Sequence, residues 1–144
     1  MSVTHLNNIN AVLPKGDKPL LARPVPAGFP SPADDYIESS INLNDYLVSH
    51  KEATFYMRVE GDSMEGVGIF DGDILVVDRS LPKIDQSIVI AVIDGEFTVK
   101  QLIIKEGKPC LRAANENYKD IDIKPEQSFE IWGVVKFCIH KCLL

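Results

Sequence analysis

The chain has 144 residues, of which 45% are hydrophobic and 25% are charged. This length and composition fit one globular domain with a tail and argue against a disordered chain. Fifteen basic and 21 acidic residues give a formal net charge of −6. We therefore expect no strong direct binding to DNA or to an anionic membrane, because phosphate groups are bound by clustered positive charge.

No targeting or spanning segment is recognisable. No apolar run approaches the roughly 20 residues that a membrane-spanning helix requires, and no signal peptide precedes Lys15. Three cysteines cannot all pair, which favours a reducing compartment. The sequence therefore predicts a soluble, cytoplasmic protein.

Cys138, His140 and Cys142 would share one face of a strand, which suggests a metal site. Structural zinc, however, normally uses two pairs of closely spaced ligands, and the tail offers none. We therefore interpret these cysteines, together with Cys110, as small, partly buried thiols. We expect neither a metal nor a cofactor.

The first 35 residues are distinguished by their prolines. Six of the nine prolines lie here, and they exclude a continuous helix or a central strand because proline lacks a backbone N–H and fixes φ. Up to Ala27 the net charge is +2, which leaves −8 on the remainder. We predict an extended, exposed N-terminal arm over residues 1–35 and a folded body over residues 36–144.

The body begins with a short predicted helix and continues as strands. Asn42 is a suitable N-cap for a helix within Ile41–Ser49, and Asp94-Gly95 is a pair that tight hairpin turns favour. Short strands with tight turns indicate a mainly β body of barrel or sandwich type. The predicted strands are Thr54–Glu60, Asp73–Asp78, Ser87–Ile93, Glu96–Lys105, Cys110–Ala114 and Ser128–Cys138.

Ser63 and Lys100 are the candidate catalytic residues. Ser63 lies in a glycine-flanked turn, where a serine is most often only a turn residue. Lys100 lies in the middle of a strand that is apolar on both faces. Either its stem packs at a strand edge with the ammonium in water, or burial lowers its pKa until a neutral amine exists near physiological pH. Such an amine can take the proton from a serine hydroxyl, as in Ser–Lys catalysis.

Four segments carry a family resemblance: Gly61–Met64, Asp71–Asp78, Asp94–Lys100 and Pro26–Pro32. The first holds the serine turn, and the third is a hairpin strand that ends in the lysine. The last contains a small residue followed by glycine, as at a scissile bond of that family. With the Ala-Gly pair upstream of the serine turn and the lysine downstream of it, the segments together resemble the LexA/UmuD family of self-cleaving Ser–Lys peptidases, over nearly the whole body.

The resemblance implies a LexA/signal-peptidase-like β-rich catalytic domain with a short helix and an extended N-terminal arm. It implies that Ser63 is the nucleophile and Lys100 the general base. The chain would then cut itself between Ala27 and Gly28. Backbone N–H groups at the Ser63 turn would hold the oxyanion.

The arm indicates which branch of the family the sequence is most similar to. Repressor members carry a helix-turn-helix domain before the cleavage bond, but the 27 residues before Gly28 are proline-rich and have no helical period. Signal peptidases share the Ser–Lys chemistry but need a membrane anchor, which we do not expect here. The sequence is therefore most similar to the UmuD branch, the accessory subunits of error-prone DNA polymerases.

The resemblance to this branch also implies partners. A RecA nucleoprotein filament would stimulate autocleavage in the SOS response to DNA damage. The shortened product would join, as a homodimer, a UmuC-type Y-family DNA polymerase for translesion synthesis. The alternative is a non-catalytic β-rich interaction module that regulates a DNA-repair polymerase. The joint presence of Ser63, Lys100 and the Ala27-Gly28 pair favours the peptidase.

The remaining polar candidates receive structural interpretations. The histidines are not spaced as a catalytic set, and we expect them on the surface or in the tails. An acidic cluster lacks the ligand spacing of a calcium loop and is interpreted as turn and strand-edge positions. Trp132 is expected in the core or at a dimer contact. The histidines are His5, His50 and His140, and the acidic residues are Asp71, Asp73 and Asp78.

Overall fold

The computed structural model describes residues 13–21, 24–30 and 37–143. In these residues the chain forms nine strands in two antiparallel sheets and one short α-helix. This composition confirms the predicted mainly β fold class. By contacts, the chain divides into two compact units, Met1–Leu47 and Val48–Leu144.

The first unit is a two-stranded sheet followed by the helix. Strand β1 (Asp17–Leu21) pairs antiparallel with β2 (Ile37–Asn42), and helix α1 spans Leu43–Leu47. The Asn42 side chain accepts a hydrogen bond from the backbone N–H of Asn44 at 3.0 Å. Asn42 therefore caps the helix, as the sequence predicted.

This unit contains a strand pair that was not predicted. The helix lies within Ile41–Ser49 and begins directly after the predicted cap Asn42, whereas Ile41 belongs to β2, opposite Lys18. Strand β1 lies in the segment predicted as an extended arm, and it is an edge strand. Pro19 is tolerated inside β1 because both strands of a two-stranded sheet are edges, and no second neighbour requires its N–H. The separation of a cleavable arm over residues 1–35 from a body over residues 36–144 stays a prediction.

The second unit contains seven strands: β3 (Thr54–Arg58), β4 (Ile74–Asp78), β5 (Ile88–Ile93), β6 (Glu96–Lys105), β7 (Lys108–Arg112), β8 (Ile121–Asp122) and β9 (Phe129–Ile139). They form one antiparallel sheet in the order β3-β4-β9-β5-β6-β7-β8. The last strand thus lies between β4 and β5. The six strands predicted here are present within a few residues of their expected ends, whereas β8 was not predicted.

The β5–β6 hairpin sets the register of the candidate lysine. Asp94 and Gly95 have φ values of 49° and 82°, the positive φ that this tight turn needs and that aspartate and glycine tolerate. The turn places Lys100 directly opposite Val89. The sequence therefore positions this lysine locally, through the turn.

Two apolar clusters form the core of the second unit. Ile90 belongs to the first cluster, and its neighbours Val89 and Ala91 belong to the second, because successive side chains of a strand point to opposite faces. The first cluster contains Val59, Met64, Ile69, Leu75, Val77 and Ile90. The second contains Val89, Ala91, Leu102, Leu111 and Val134.

Two aspartates of the acidic cluster lie at the two ends of β4, as turn and strand-edge residues do. Asp73 directly precedes the strand and Asp78 is its last residue, and they are 3% and 1% exposed, a burial that was not predicted. Each is held by a half-exposed histidine: His140 Nδ1 lies 2.6 Å from Asp73 Oδ1, and His50 Nδ1 lies 2.6 Å from Asp78 Oδ2. Residues this far apart in the chain leave no local pattern from which their pairing can be predicted. His5 lies outside the described residues.

Within the described ranges, no helix is long and apolar enough to cross a membrane. These ranges also contain no group of three or more His, Cys, Asp or Glu side chains arranged to hold a metal ion. Cys110 is buried, Cys138 is half-buried and Cys142 is exposed, and all three are free thiols.

Candidate active site

Ser63 is presented by a turn that is fixed on both sides. Before it, Gly61 adopts a φ of 98°, a region that favours glycine, and donates its backbone N–H to Asp71 Oδ1 at 2.8 Å. After it, Met64 is 1% exposed and belongs to the first core cluster. Ser63 itself is half-buried between these two anchored neighbours.

Lys100 is buried in the middle of β6. It is 8% exposed, and Leu102, on the same face of the strand, is 3% exposed. The interpretation in which the ammonium is in water at a strand edge is therefore wrong. Burial lowers the pKa of Lys100 below its ordinary value, because the charged form is less stable away from water.

The amine of Lys100 contacts three uncharged oxygens. Lys100 Nζ lies 2.9 Å from Ser63 Oγ, 3.0 Å from Thr98 Oγ1 and 3.1 Å from the carbonyl oxygen of Val99. Among the described residues, no carboxylate forms an ion pair with this amine. The amine is thus in an environment that favours its neutral form.

A cavity of about 260 Å³ opens beside these residues. The ring of Phe97 forms part of its wall and packs edge-on against Trp132, with the ring centroids 5.7 Å apart. Trp132 is half-buried and packs against the first core cluster, so the core supports this wall. The apolar lining consists of Met57, Val59, Leu75, Ile90, Phe97 and Val99.

The bond predicted to be cut lies in the first unit. Ala27 and Gly28 belong to the segment Pro24–Pro30, in which every residue is exposed. Val25 and Phe29 on either side are 91% and 92% exposed. Among the residues that the structure describes, a Cβ atom at position 28 would meet no atom within 4 Å, and both residues of the Ala27–Gly28 bond are exposed.

The structure brings two of the four candidate residues together. Ser63 and Lys100 are in hydrogen-bond contact across 37 positions of sequence, whereas Ala27 and Gly28 belong to the other unit. The sequence analysis missed Thr98. Its position two residues before Lys100, on the same face of β6, was the signal from which it could have been found.

Comparisons with known proteins show which family this chain is similar to. A family model described as Peptidase S24-like matches residues 19–136. The protein MucA of Salmonella typhimurium is 48% identical over 118 residues, which cover 81% of this chain and 80% of MucA. The protein ImpA of Shigella flexneri is 44% identical over 132 residues, which cover 89% of this chain and 90% of ImpA. The LexA repressor of Stenotrophomonas maltophilia is 39% identical over 116 residues, which cover 81% of this chain and 54% of the repressor.

Proposed function

The chain belongs to the Peptidase S24-like family, as the resemblance to LexA and UmuD proteins predicted, and from this membership we propose that it is a serine endopeptidase that cleaves itself. In this proposal Ser63 is the nucleophile and Lys100 the general base. The observation that carries it is the 2.9 Å contact between Lys100 Nζ and Ser63 Oγ in a buried site. A serine hydroxyl is a weak nucleophile until a base takes its proton.

The three contacts of the amine suit its neutral form. A charged ammonium donates three hydrogen bonds, and the three acceptors at this site are uncharged. When the amine loses one proton, its two N–H groups donate to Thr98 Oγ1 and to the carbonyl oxygen of Val99. The lone pair then faces Ser63 Oγ, so the hydroxyl donates to the nitrogen, which is the direction that general-base catalysis requires.

The reaction is hydrolysis of the Ala27–Gly28 peptide bond. Ser63 Oγ attacks the carbonyl carbon of Ala27 while Lys100 takes the hydroxyl proton. Collapse of the tetrahedral intermediate breaks the C–N bond, and Lys100 returns the proton to the nitrogen of Gly28. Water then hydrolyses the ester between Ser63 and Ala27, which leaves a carboxylate on one fragment and an amine on the other.

The sequence around the bond suits this cavity. Ala27 and Gly28 are small, so an extended backbone can approach the serine closely. In an extended segment, Val25, Ala27 and Phe29 point to the same face, and their apolar side chains match the apolar lining of the cavity. Because this substrate is part of the same chain, its effective concentration is high without any binding partner.

The biological part of the proposal is a role in the SOS response to DNA damage. A RecA nucleoprotein filament stimulates the cleavage in the cytoplasm, and the product that begins at Gly28 forms a homodimer. This homodimer joins a UmuC-type Y-family DNA polymerase for translesion synthesis. The similarity to MucA, ImpA and part of the LexA repressor supports this role. Loss of the arm also removes a net charge of +2, which changes the surface potential that a partner meets.

Intact mass spectrometry of the purified chain tests the peptidase. At pH ~10 even an ordinary lysine is substantially neutral, so fragments that end at Ala27 and begin at Gly28 should accumulate. The variant Ser63→Ala should stay intact. A parallel incubation near neutral pH with RecA, single-stranded DNA and a nucleotide cofactor should accelerate the same cut. If the wild-type chain stays intact under both conditions, the peptidase is refuted, and a non-catalytic β-rich interaction module describes the protein better.

A further inference from the structure

Residues 114–118, which follow β7, contact the Ser63 turn at three points. One contact is between backbones, one reaches the backbone from a side chain, and one joins two side chains. Two of them converge on Asp62, the residue directly before the nucleophile. The contacts are Gly66 N–H to the Ala114 carbonyl oxygen (2.6 Å), Asn115 Nδ2 to the Asp62 carbonyl oxygen (2.9 Å) and Tyr118 Oη to Asp62 Oδ1 (2.5 Å).

The contact at Gly66 keeps the two segments in close register. A Cβ atom added at Gly66 would lie 2.5 Å from the Ala114 carbonyl oxygen, a distance that real Cβ atoms essentially never show. The two backbones therefore pack directly against each other. Residues 114–118 therefore pack against the Ser63 turn, and the side chains of Asn115 and Tyr118 contact Asp62.

The bond from Asn115 acts on the peptide group that links Asp62 to Ser63. The Asp62 carbonyl oxygen accepts the side chain of Asn115 at 2.9 Å and, at a longer distance of 3.3 Å, the backbone N–H of Glu65. In a planar trans peptide the C=O and N–H point in opposite directions, so the donors that fix this carbonyl also fix the direction of the Ser63 N–H, and Asn115 makes the shorter bond. Among the described residues, no acceptor takes this N–H. It is therefore available to bind the negative oxygen that develops when Ser63 attacks a carbonyl. A hydrogen bond at the C=O end also polarises the peptide and strengthens the N–H as a donor.

The side chain of Asn115 is itself held in the orientation that this role needs. Its Oδ1 accepts the backbone N–H of Asn117 at 3.0 Å, so its NH₂ group faces Asp62. The backbone carbonyl oxygen of Asn115 accepts the backbone N–H of Tyr118 at 3.0 Å. The oxygen and the nitrogen of the side-chain amide are thus both hydrogen-bonded. An aspartate at position 115 would keep the bond to Asn117 but lose the donor to Asp62.

Tyr118 supports the same arrangement in the alkaline range. Its hydroxyl donates to the Asp62 carboxylate, and this hydrogen bond raises the pKa of Tyr118 above its ordinary value. The phenol therefore keeps its proton, and the contact persists, at the pH at which the neutral form of Lys100 becomes abundant.

We propose that Asn115 is a positioning residue for the self-cleavage reaction: through the Asp62 carbonyl it aims the backbone N–H of Ser63 at the oxyanion, and Tyr118 holds Asp62 in place. The inference rests on the proposed peptidase function and adds to it the group that orients one oxyanion donor. Among the described residues, the Asn115 side chain bonds to Asp62 and Asn117 and not to Lys100, so we expect its effect on the efficiency of the chemical step.

The rate constant of autocleavage as a function of pH tests this role in the full-length chain. Asn115→Asp removes the donor, and Asn117→Asp is its matched control, because it introduces the same charge two residues away without removing a bond to Asp62. We expect Asn115→Asp to lower the plateau rate about tenfold to hundredfold, somewhat less than the loss of a whole oxyanion donor. We expect Asn117→Asp to cleave within about twofold of wild type.

The pH of half-maximal rate separates positioning from general loosening of the fold. A misaimed N–H lowers the plateau but leaves Lys100 buried, so the midpoint stays where it is in the wild type. A loosened fold would return water to Lys100 and move the midpoint upward, towards the ordinary pKa of lysine. A lowered plateau with an unchanged midpoint therefore supports the proposal, and a midpoint that rises with the loss of rate overturns it.

A second variant keeps the test decisive if Asn115→Asp does not fold. Tyr118→Phe removes only the hydroxyl, and it should lower the plateau about threefold or more without moving the midpoint. The positioning role is overturned if the wild type cleaves and the folded variants match its rate within twofold, or if Asn117→Asp loses as much rate as Asn115→Asp. Absence of cleavage in the wild type would instead refute the proposed peptidase, and the inference with it.

Discussion

Replacing Lys100 by methionine tests two effects of the amine: its contribution to the proposed self-cleavage and its effect on the free energy of unfolding. Methionine has a similar length and is apolar, so it fills the same site in β6 without a charge. Lys100 is 8% exposed and its amine contacts only uncharged oxygens. We therefore expect Lys100→Met to abolish self-cleavage and to raise the free energy of unfolding near neutral pH relative to a chain that retains the lysine.

The sign and size of this effect follow from proton linkage. Burial lowers the pKa of Lys100 in the folded protein below the unfolded value of 10.5. Below the folded pKa both states carry the proton, and the folded protein bears the full cost of the buried charge. As the pH rises through the folded pKa towards 10.5, this cost disappears. Each unit of pKa lowering corresponds to about 1.4 kcal/mol of the free energy of unfolding.

Urea unfolding at pH 7 and at pH 11 measures this quantity. Both proteins carry Ser63→Ala so that neither can cut itself, and Trp132, the single tryptophan of the chain, reports unfolding by fluorescence. Lys100→Met also removes the hydrogen bonds of the amine. This loss contributes to the free energy of unfolding at both pH values, so it largely cancels when the two stability differences are subtracted. The difference in the free energy of unfolding between the lysine and methionine proteins should change between pH 7 and pH 11. The size of this change should agree with the pKa lowering of Lys100 obtained from the pH–rate profile of the wild type. A stability difference that is the same at both pH values would refute the neutral-amine mechanism.

Two further predictions concern the buried polar groups. Burial opposes ionisation of Asp78, but hydrogen bonds from Ser80 and His50 lower its pKa from 3.8 to about 2, so Asp78→Asn should lower the free energy of unfolding at pH 7 by about 2 kcal/mol. In urea titrations this difference should shrink as the pH falls from 4 through 2, and a constant difference would contradict the assignment. Burial and a hydrogen bond to a carboxylate raise the pKa of Cys138 to about 12. Iodoacetamide at pH 8 should therefore modify exposed Cys142 and spare Cys138, and equal labelling in peptide maps would refute this.

The part of the site that the sequence alone positions is the part set by local signals. Asp94-Gly95 fixes the turn between β5 and β6, and alternation along β6 then assigns a face to each side chain. Lys100 is conspicuous because it is a charged residue in the middle of a strand, between Val99 and the apolar run Leu102–Ile104. Nothing in this periodicity indicates that Ser63 lies beside it. The pairing was suggested by the chemistry of a buried lysine and a serine turn, and it was strengthened by the resemblance to a family.

The contacts that the sequence did not predict join residues far apart in the chain. Asn115 and Asp62 are 53 positions apart, and His140 and Asp73 are 67 apart. Hydrophobic periodicity records which side of an element is buried, but it does not identify the partner of a polar side chain. The position of β9 between β4 and β5 could not be predicted for the same reason. The hydrophobic pattern of a strand shows which of its faces is buried, but it does not identify the neighbouring strands in the sheet.

The contact between Ser63 and Lys100 is set by the core, against which a neighbour of each residue packs. Met64, the residue after Ser63, is buried in the first apolar cluster, and Val99, the residue before Lys100, packs against the same cluster. The 2.9 Å contact therefore depends on how the side chains of Met64 and Val99 pack in this cluster. A base that is buried by the core is also a base whose pKa is lowered by the core. The same packing thus brings Ser63 and Lys100 together and favours the neutral amine that the proposed mechanism requires. Both effects should weaken together when that cluster is disturbed.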